Sequence, residues 1–309
     1  MGKRPASKVI PAALLAAAAL AVAAVSLAAP AFVDKASADI RHPPTRVAQW
    51  RQITAQVAAM PRTHARAGDV WFVGFAGFGE QRVFRKEAEL AGKVFGARYD
   101  AASRALLLVN DVDDRRSYPL ATYDNMRYAV RQVSRRMDLQ HDTLVLVLTS
   151  HGNDTDGIAI TNGRLPEDAL SPKDVRKILD ESHIRWRVVV VSACYSGIFI
   201  PVLKSDTTLV MTAADSHHSS FGCDDTRELT WFGEALLKDS LPQACSLTDA
   251  YRDMAALIKQ RETEAEEIHS NPRLFEGARI ANKLRELDAA NGRSCAVAEP
   301  HRAGPNKEG

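Results

Sequence analysis

Two apolar segments decide the fold, 143-TLVLVLT-149 and 187-RVVVVS-192. Each is rich in β-branched residues and lacks polar alternation, which is typical of a strand that is covered on both faces. The first segment ends two residues before His151, and the second ends two residues before Cys194. In an open parallel sheet, ligands bind at the carboxyl ends of the strands. If the two strands are neighbours and parallel, we expect His151 and Cys194 to emerge into one crevice.

Short apolar runs alternate with helical patterns on both sides of these segments. We expect further strands at Val70–Phe75, Ala105–Val109, Gly157–Ile160 and Thr208–Ala213. We expect helices from near Val47 to near Pro61 and at Arg82–Phe95, Thr122–Met137 and Ser171–Ser182. This alternation predicts an α/β domain at residues 46–241, in which about six mainly parallel strands lie between helices.

Beyond Leu241 the strand pattern stops. The spacing of apolar residues predicts helices over Ser246–Ile268 and Arg273–Leu287. We therefore expect a helical C-terminal extension at residues 242–295. A disordered tail is expected at residues 296–309, which are rich in Pro, Gly and charge.

The N-terminus has the layout of an export signal. The formal charge of the chain is +2, and residues 1–38 contribute +3. There, three basic residues precede an uncharged, Ala-rich run from Val9 to Val33, and small residues typical of a signal-peptide cleavage site follow. The alternative is a weak membrane anchor through residues 9–33, because the run is long enough to span a bilayer. We expect an exported protein, periplasmic or secreted, or one anchored to the inner membrane if the segment is not cleaved.

The remaining composition argues against several classes of partner. Residues 39–309 are almost neutral and have no basic stripe with interleaved aromatic residues, so we expect no nucleic-acid partner. The Gly-rich segment 74-GFAGFG-79 matches neither a dinucleotide-binding nor a phosphate-binding loop. His217, His218 and Cys223 fit no common zinc-ligand spacing. The sequence therefore predicts no cofactor and no metal site.

The four cysteines are Cys194, Cys223, Cys245 and Cys295, and none belongs to a CxxC pair. If Cys194 stays reduced for chemistry, at most one bridge can form among the other three. Because Cys245 and Cys295 flank the same predicted helical region, we expect them to pair and Cys223 to be free.

A cysteine and a histidine at one sheet edge suit nucleophilic catalysis. The thiolate is the attacking species, and an imidazole can accept its proton and later donate one to the leaving amine. The backbone N–H groups of Cys194 and Gly152 are candidate donors to the oxyanion, because glycine lets the backbone approach closely. A lone Cys after an apolar run usually has a packing role, but its placement together with His151 favours function. We predict a cysteine peptidase that acts on a peptide or protein substrate.

Three blocks of the sequence resemble the legumain family of cysteine peptidases, which includes asparaginyl endopeptidases and a subunit of the glycosylphosphatidylinositol transamidase. These blocks are SHG at 150–152, SACYSG at 192–197 and TAADSHHSSFGCDD at 212–225. A bacterial subgroup of exported peptidases also shares VWFVGFAG at 70–77. The resemblance runs from about Asp69 to Leu237 and implies a caspase-like three-layer fold.

The resemblance also implies roles for individual residues. His151 and Cys194 fall on the catalytic pair. The positions that fall on the specificity pocket are Arg85, Ser192, Ser219, Ser220 and Glu234. A guanidinium and a carboxylate that face each other can read both ends of an amide side chain, so the resemblance implies cleavage after Asn or Asp.

Three positions depart from the legumain pattern. Ser192 stands where legumain has an acidic pocket residue, and Lys86 replaces a histidine; both changes weaken the prediction of strict Asn specificity. Val83 stands where legumain has an Asn that orients the catalytic His, which predicts a Cys–His dyad without an orienting side chain. Two other functions stay open: a transamidase or ligase, in which an amine resolves the acyl-enzyme, and a non-catalytic binding module that keeps the fold.

Overall fold

The structure is a computed structural model that describes residues 45–63, 65–114, 116–163, 167–224 and 226–293. The strands are β1 (Val70–Ala76), β2 (Ala105–Val109), β3 (Thr143–Thr149), β4 (Gly152–Asn153), β5 (Gly157–Ile160), β6 (Asp168–Leu170), β7 (Trp186–Ser192), β8 (Thr208–Thr212) and β9 (Arg273–Glu276). The helices are α1 (Arg46–Ala59), α2 (Arg82–Arg98), α3 (Tyr123–Ser134), α4 (Pro172–Glu181), α5 (Phe199–Leu203), α6 (Trp231–Gly233), α7 (Leu247–Glu264) and α8 (Ala278–Ala290). A π-helical segment, Glu234–Ser240, continues α6. The predicted signal segment 1–38 and the predicted tail 296–309 lie outside the described residues.

Six strands form the central sheet in the order β2-β1-β3-β7-β8-β9. All neighbouring pairs are parallel except β8 and β9, which are antiparallel. Every residue of β1, β3 and β8 is buried, as expected for strands that are covered on both faces. The predicted architecture of about six mainly parallel strands between helices is confirmed.

Successive residues of β3 point to opposite faces of the sheet and enter two separate cores. Leu144, Leu146 and Leu148 pack in a core that includes residues of α1, α3, α4 and α5. Val145 and Val147 pack in a second core, which includes residues of α2, α7 and α8. Because helices cover both faces, the carboxyl ends of the strands are the part of the sheet that is left for a site.

Polar side chains cap the N-termini of three helices. Ser171 caps α4 in a capping box with Asp174, in which each side chain bonds to the backbone of the other residue. The side chains of Thr122 and Ser246 accept a hydrogen bond from the first turn of α3 and α7 respectively. These caps fix the residues at which the three helices begin.

Two elements differ from the prediction. The run Gly157–Ile160 is a strand, but it belongs to a separate antiparallel sheet of β4, β5 and β6. The predicted helix Arg273–Leu287 is wrong over its first turn, because Arg273–Glu276 forms β9 and α8 begins at Ala278. Four residues are too few for periodicity to separate a strand from a helix, and here pairing with the free edge of β8 decides.

The segment after Leu241 is tied to α2 through Arg98. The guanidinium donates hydrogen bonds to the backbone oxygens of Ala244 and Cys245 at 2.9 and 2.8 Å, and to Asp288 Oδ1 at 2.7 Å. The side chains of Arg98 and Asp288 are 1% and 4% exposed, so the ion pair is buried. The C-terminal segment therefore packs as part of the folded unit around the sheet.

Cys245 is disulfide-bonded, whereas Cys194 and Cys223 are free, as expected. The predicted partner, Cys295, lies outside the described residues. No helix in the described part of the chain combines the length and apolarity that a membrane crossing needs. The apolar run at residues 9–33 lies outside that part.

Candidate active site

His151 and Cys194 emerge from adjacent parallel strands at the same edge of the sheet. In the register of β3 and β7, Thr149 lies opposite Ser192, so both side chains come two residues beyond a paired position. The pairing extends one step further, because Ser150 N–H donates to Ser192 O at 3.2 Å. The condition on which the sequence argument depended, that these strands are parallel neighbours, is confirmed.

A tight turn presents the Cys194 thiol. Tyr195, the next residue, has a φ of 55°, in the left-handed region that non-glycine residues seldom adopt. Its N–H donates to His218 O at 2.9 Å, which holds the turn against the loop after β8. A residue strained in this way persists only where the surrounding structure holds it, and such residues cluster at functional sites.

The sulfur of Cys194 is half-buried and contacts Ser220. The backbone N–H of Ser220 donates to Cys194 Sγ at 3.3 Å, and Ser220 Oγ lies 3.6 Å from the sulfur. The Ser220 carbonyl oxygen accepts from the thiol at 3.4 Å. The backbone of Ser220 thus holds the sulfur in position from two sides.

The imidazole of His151 is fixed by Gln81 and two aromatic rings. Gln81 Oε1 lies 2.6 Å from His151 Nε2. The rings of Phe78 and Phe84 pack edge-on against the imidazole, with centroid distances of 4.6 and 5.1 Å. Burial lowers the pKa of His151 below its usual value of 6.5, so the ring is neutral at neutral pH and can accept a proton.

The contact with Gln81 corrects the prediction of a dyad without an orienting side chain. Val83, the position that the resemblance matched to an orienting Asn, is 1% exposed and packs in an apolar cluster with Phe84. Gln81 lies two residues earlier, at the N-cap of α2, and reaches the ring from there. The sequence signal was weak, since Glu80 and Gln81 both lie between the Gly-rich turn and the helix and nothing in the sequence distinguishes them.

Gly152 lies against the backbone of Cys194. A Cβ atom at this position would lie 2.5 Å from Cys194 O and 3.1 Å from the Ala193 Cβ, so only glycine fits without movement. Ala159 N–H donates to His151 O at 2.9 Å, which makes Gly152 and Ile158 a non-hydrogen-bonded pair of the antiparallel ladder. The ladder therefore leaves the Gly152 N–H without a partner, as a donor to an oxyanion would need.

His151 and Cys194 do not hydrogen-bond to each other among the described contacts. His151 Nε2 pairs with Gln81, and Cys194 Sγ pairs with Ser220. Catalytic hydrogen bonds are often long in the absence of substrate and tighten when it binds.

That Arg85 and Glu234 face each other in a specificity pocket stays a prediction, and in the structure each side chain pairs with other groups. The Arg85 guanidinium binds Glu89, Asp111 and Asp114 at 2.9, 2.7 and 3.1 Å. Glu234 Oε2 instead accepts from Arg227 at 2.7 Å, and the guanidinium of Arg261 lies 3.6 Å away. The resemblance to legumain implied that both side chains lie in one pocket, but it carried no information on these other partners.

The other predicted pocket residues, Ser192, Ser219 and Ser220, differ in their exposure to solvent. Ser219 and Ser220 are half-exposed on the loop after β8. Ser192 is 2% exposed, and its Oγ lies 3.3 Å from Thr230 Oγ1. Their roles in binding substrate stay predictions.

The carboxyl group of Glu87 is buried near the end of β7. No motif in the sequence indicated it. Glu87 is 1% exposed, and its Oε2 accepts from Thr230 N–H and Thr230 Oγ1 at 3.2 and 2.5 Å. Burial raises the pKa of Glu87, against hydrogen bonds from Ser192 and Thr230 that lower it. The acid thus connects α2 to the end of β7 and to the start of α6.

The model of the peptidase C13 family matches residues 128–271, a range that includes both His151 and Cys194. The predicted resemblance to the legumain family is confirmed. The match to the peptidase C13 family supports a function of the cysteine-peptidase type and implies a peptide or protein substrate. No curated protein matches the chain.

Among solved structures, caspase-1 from Spodoptera frugiperda is similar to this chain. The two share 11% sequence identity with a TM-score of 0.48, over 68% of this chain and 87% of the caspase chain.

Proposed function

We propose that the protein is a cysteine endopeptidase in which Cys194 is the nucleophile and His151 is the general base and acid. The observation that carries the proposal is the register of β3 and β7, which brings the two residues to one edge of the sheet two positions beyond the paired Thr149 and Ser192. The neutral imidazole and the N–H group that Ser220 directs at Cys194 Sγ support it.

In the proposed reaction His151 accepts the thiol proton, and the Cys194 thiolate attacks the carbonyl carbon of the scissile bond. The N–H groups of Gly152 and Cys194 stabilise the oxyanion. When the tetrahedral intermediate collapses, the C–N bond breaks and His151 gives its proton to the leaving amine. Water, activated by the same imidazole, then hydrolyses the thioester, which returns the thiol.

The test is hydrolysis of a fluorogenic peptide library, in which the residue before the scissile bond is varied, by the purified protein and by Cys194→Ala. Cleavage by the parent and none by the variant would support the proposal. Cleavage that persists in Cys194→Ala would contradict it. Addition of an amine acceptor distinguishes hydrolysis from transamidation, since the ligated product has a different mass.

Cleavage after Asn or Asp stays a prediction, and the same peptide library tests it. Arg85, the cation on which that prediction depended, already binds three carboxylates. A library that shows no preference for Asn or Asp would remove this part and leave the peptidase assignment intact.

We also propose that the protein acts outside the cytoplasm. The basic and Ala-rich segment at residues 1–38 supports export. The disulfide at Cys245 supports an oxidising compartment, where such bonds persist. Cell fractionation, with proteolysis of intact cells and spheroplasts, tests this proposal; protection in both, with release only on lysis, would contradict it.

A further inference from the structure

A cleft beside His151 has no role in the chemistry proposed above. Its volume is about 470 Å³. His151 and Gly152 line it on one side and the small antiparallel sheet on the other, whereas Cys194 and Ser220 are not among its lining residues. The cleft therefore lies on the histidine side of the nucleophile.

The cleft has an apolar wall and an acidic rim. Phe78, Ala159 and Ile160 supply apolar surface. Asp156, Glu167 and Asp168 also line it, and all three are exposed at its mouth. Among the described lining residues none is a lysine or an arginine.

The wall of the cleft is held in place by backbone contacts. Phe78 and Thr161 form a parallel bridge, in which Gly79 N–H donates to Thr161 O and Thr161 N–H donates to Gly77 O, both at 2.9 Å. Glu80 Oε1 accepts from the Thr161 hydroxyl at 3.1 Å and adds a fourth carboxylate near this wall. These contacts fix the wall of the cleft to the segment that follows β1.

The mechanism determines which part of a substrate passes this cleft. His151 has to protonate the leaving amine, so the chain on the amine side of the scissile bond must lie on the histidine side of Cys194. The residue that follows the scissile bond is the nearest side chain on that side. A cleft lined by His151 but not by Cys194 suits this residue.

We propose that the cleft binds the residue after the scissile bond and selects a lysine or arginine there; the proposal rests on the proposed peptidase function. Long basic side chains bury an apolar stem while the charged head stays at the surface. The stem would lie along Phe78 and Ile160, and the head would meet the carboxylates of Glu167 and Asp168. Charge complementarity and the apolar wall together define this substrate class.

The experiment measures binding without catalysis. Full-length Cys194→Ala is titrated with two fluorescent peptides that mimic the leaving fragment and differ only in the N-terminal residue, Lys or Glu. The same titration is done in the Glu167→Gln/Asp168→Asn background. The matched control is Asp253→Asn/Glu286→Gln, which changes the net charge equally at two exposed residues of α7 and α8.

The Lys peptide is expected to bind about three- to tenfold more tightly than the Glu peptide, a size typical of two exposed charge contacts. The preference should disappear in the Glu167→Gln/Asp168→Asn protein and persist in the control. Equal affinities, no binding of either peptide, or a preference that survives removal of the two carboxylates would overturn the proposal. The peptide library with active protein tests the peptidase function separately, so failure of the library and failure of the binding preference are distinguishable.

Discussion

Gln81 Oε1 lies 2.6 Å from His151 Nε2. Because an amide oxygen can only accept, this contact places the imidazole proton on Nε2 and leaves Nδ1 unprotonated in the neutral ring. Nδ1 is then the atom that can take the thiol proton. The side chain that contacts the imidazole comes from the N-cap of α2, not from Val83, where the resemblance to legumain placed an orienting residue.

Gln81→Ala should lower kcat by about 10- to 100-fold and leave KM nearly unchanged, because a misplaced base affects the transition state more than substrate binding. Steady-state kinetics on the preferred library peptide measures both constants. Arg82→Ala is the matched control. Arg82 is the next residue, and its exposed side chain pairs with Asp113 at the surface. An unchanged kcat in Gln81→Ala would show that the aromatic rings alone orient the imidazole.

The pKa of His151 should lie below 6.5, because burial disfavours the imidazolium. Gln81→Glu should raise this pKa, since a carboxylate beside Nε2 stabilises the charged ring. NMR titration of labelled histidine, with the resonance assigned by its loss in His151→Gln, measures both values. A His151 pKa at or above 6.5 in the parent, or one that falls in Gln81→Glu, would contradict this account of the site.

Gly152→Ala should abolish turnover, because the added methyl group would displace the backbone of Cys194. The matched control is Gly92→Ala on α2, where a Cβ would meet the Phe72 ring at 3.4 Å, close to ordinary contact. The control should keep its activity and gain up to about 1 kcal/mol in stability from the better helix former. Measuring kcat and urea unfolding for both separates loss of the oxyanion donor from loss of the fold; wild-type turnover in Gly152→Ala would contradict the role of this residue.

The sequence predicted the buried parallel strands and the placement of His151 and Cys194 after two of them, because both depend on local signals. Buried parallel strands such as β3 and β7 are continuous β-branched runs, and the residues that follow such runs must lie at the sheet edge. The adjacency of β3 and β7 and the register of Thr149 with Ser192 come from the structure.

What the sequence could not predict depends on tertiary contacts. The reach of Gln81 to His151, the buried carboxyl of Glu87 and the three carboxylates around Arg85 all join residues that only the folded chain brings together. β9 was missed for a related reason, since its four residues take the strand conformation where they pair with β8. Such positions carry no periodic pattern, and propensity is a weak guide when packing decides.

Cys194 and Cys223 should differ strongly in reactivity. Burial and the nearby Cys194 thiol raise the pKa of Cys223, which lowers its thiolate fraction. Limited iodoacetamide treatment of the folded protein, followed by peptide mapping, should therefore modify Cys194 first. Cys245 should react only after reduction, because it is disulfide-bonded. The Cys194→Ala variant should lose the fast phase, whereas Cys223→Ala should keep it; preferential labelling of Cys223 in the parent would argue against Cys194 as the nucleophile.

Glu87 should make stability fall as the pH rises. Its usual pKa is 4.5, and burial raises the value in the folded protein. Between these two values the folded protein keeps a proton that the unfolded chain has released, so the free energy of unfolding decreases as the pH rises above 4.5, by up to about 1.4 kcal/mol per pH unit.

Glu87→Gln mimics the protonated acid: its amide oxygen can accept from Thr230 and its NH₂ group can replace the carboxyl O–H as a donor. Urea unfolding from pH 5 to pH 8 should therefore show a flatter pH dependence for Glu87→Gln than for the parent, while Glu286→Gln, at an exposed position of α8, keeps the parent slope. Parallel curves for the parent and Glu87→Gln would mean that Glu87 is already ionised below the nucleophile, and that its charge is balanced by Thr230 and Ser192 without a proton.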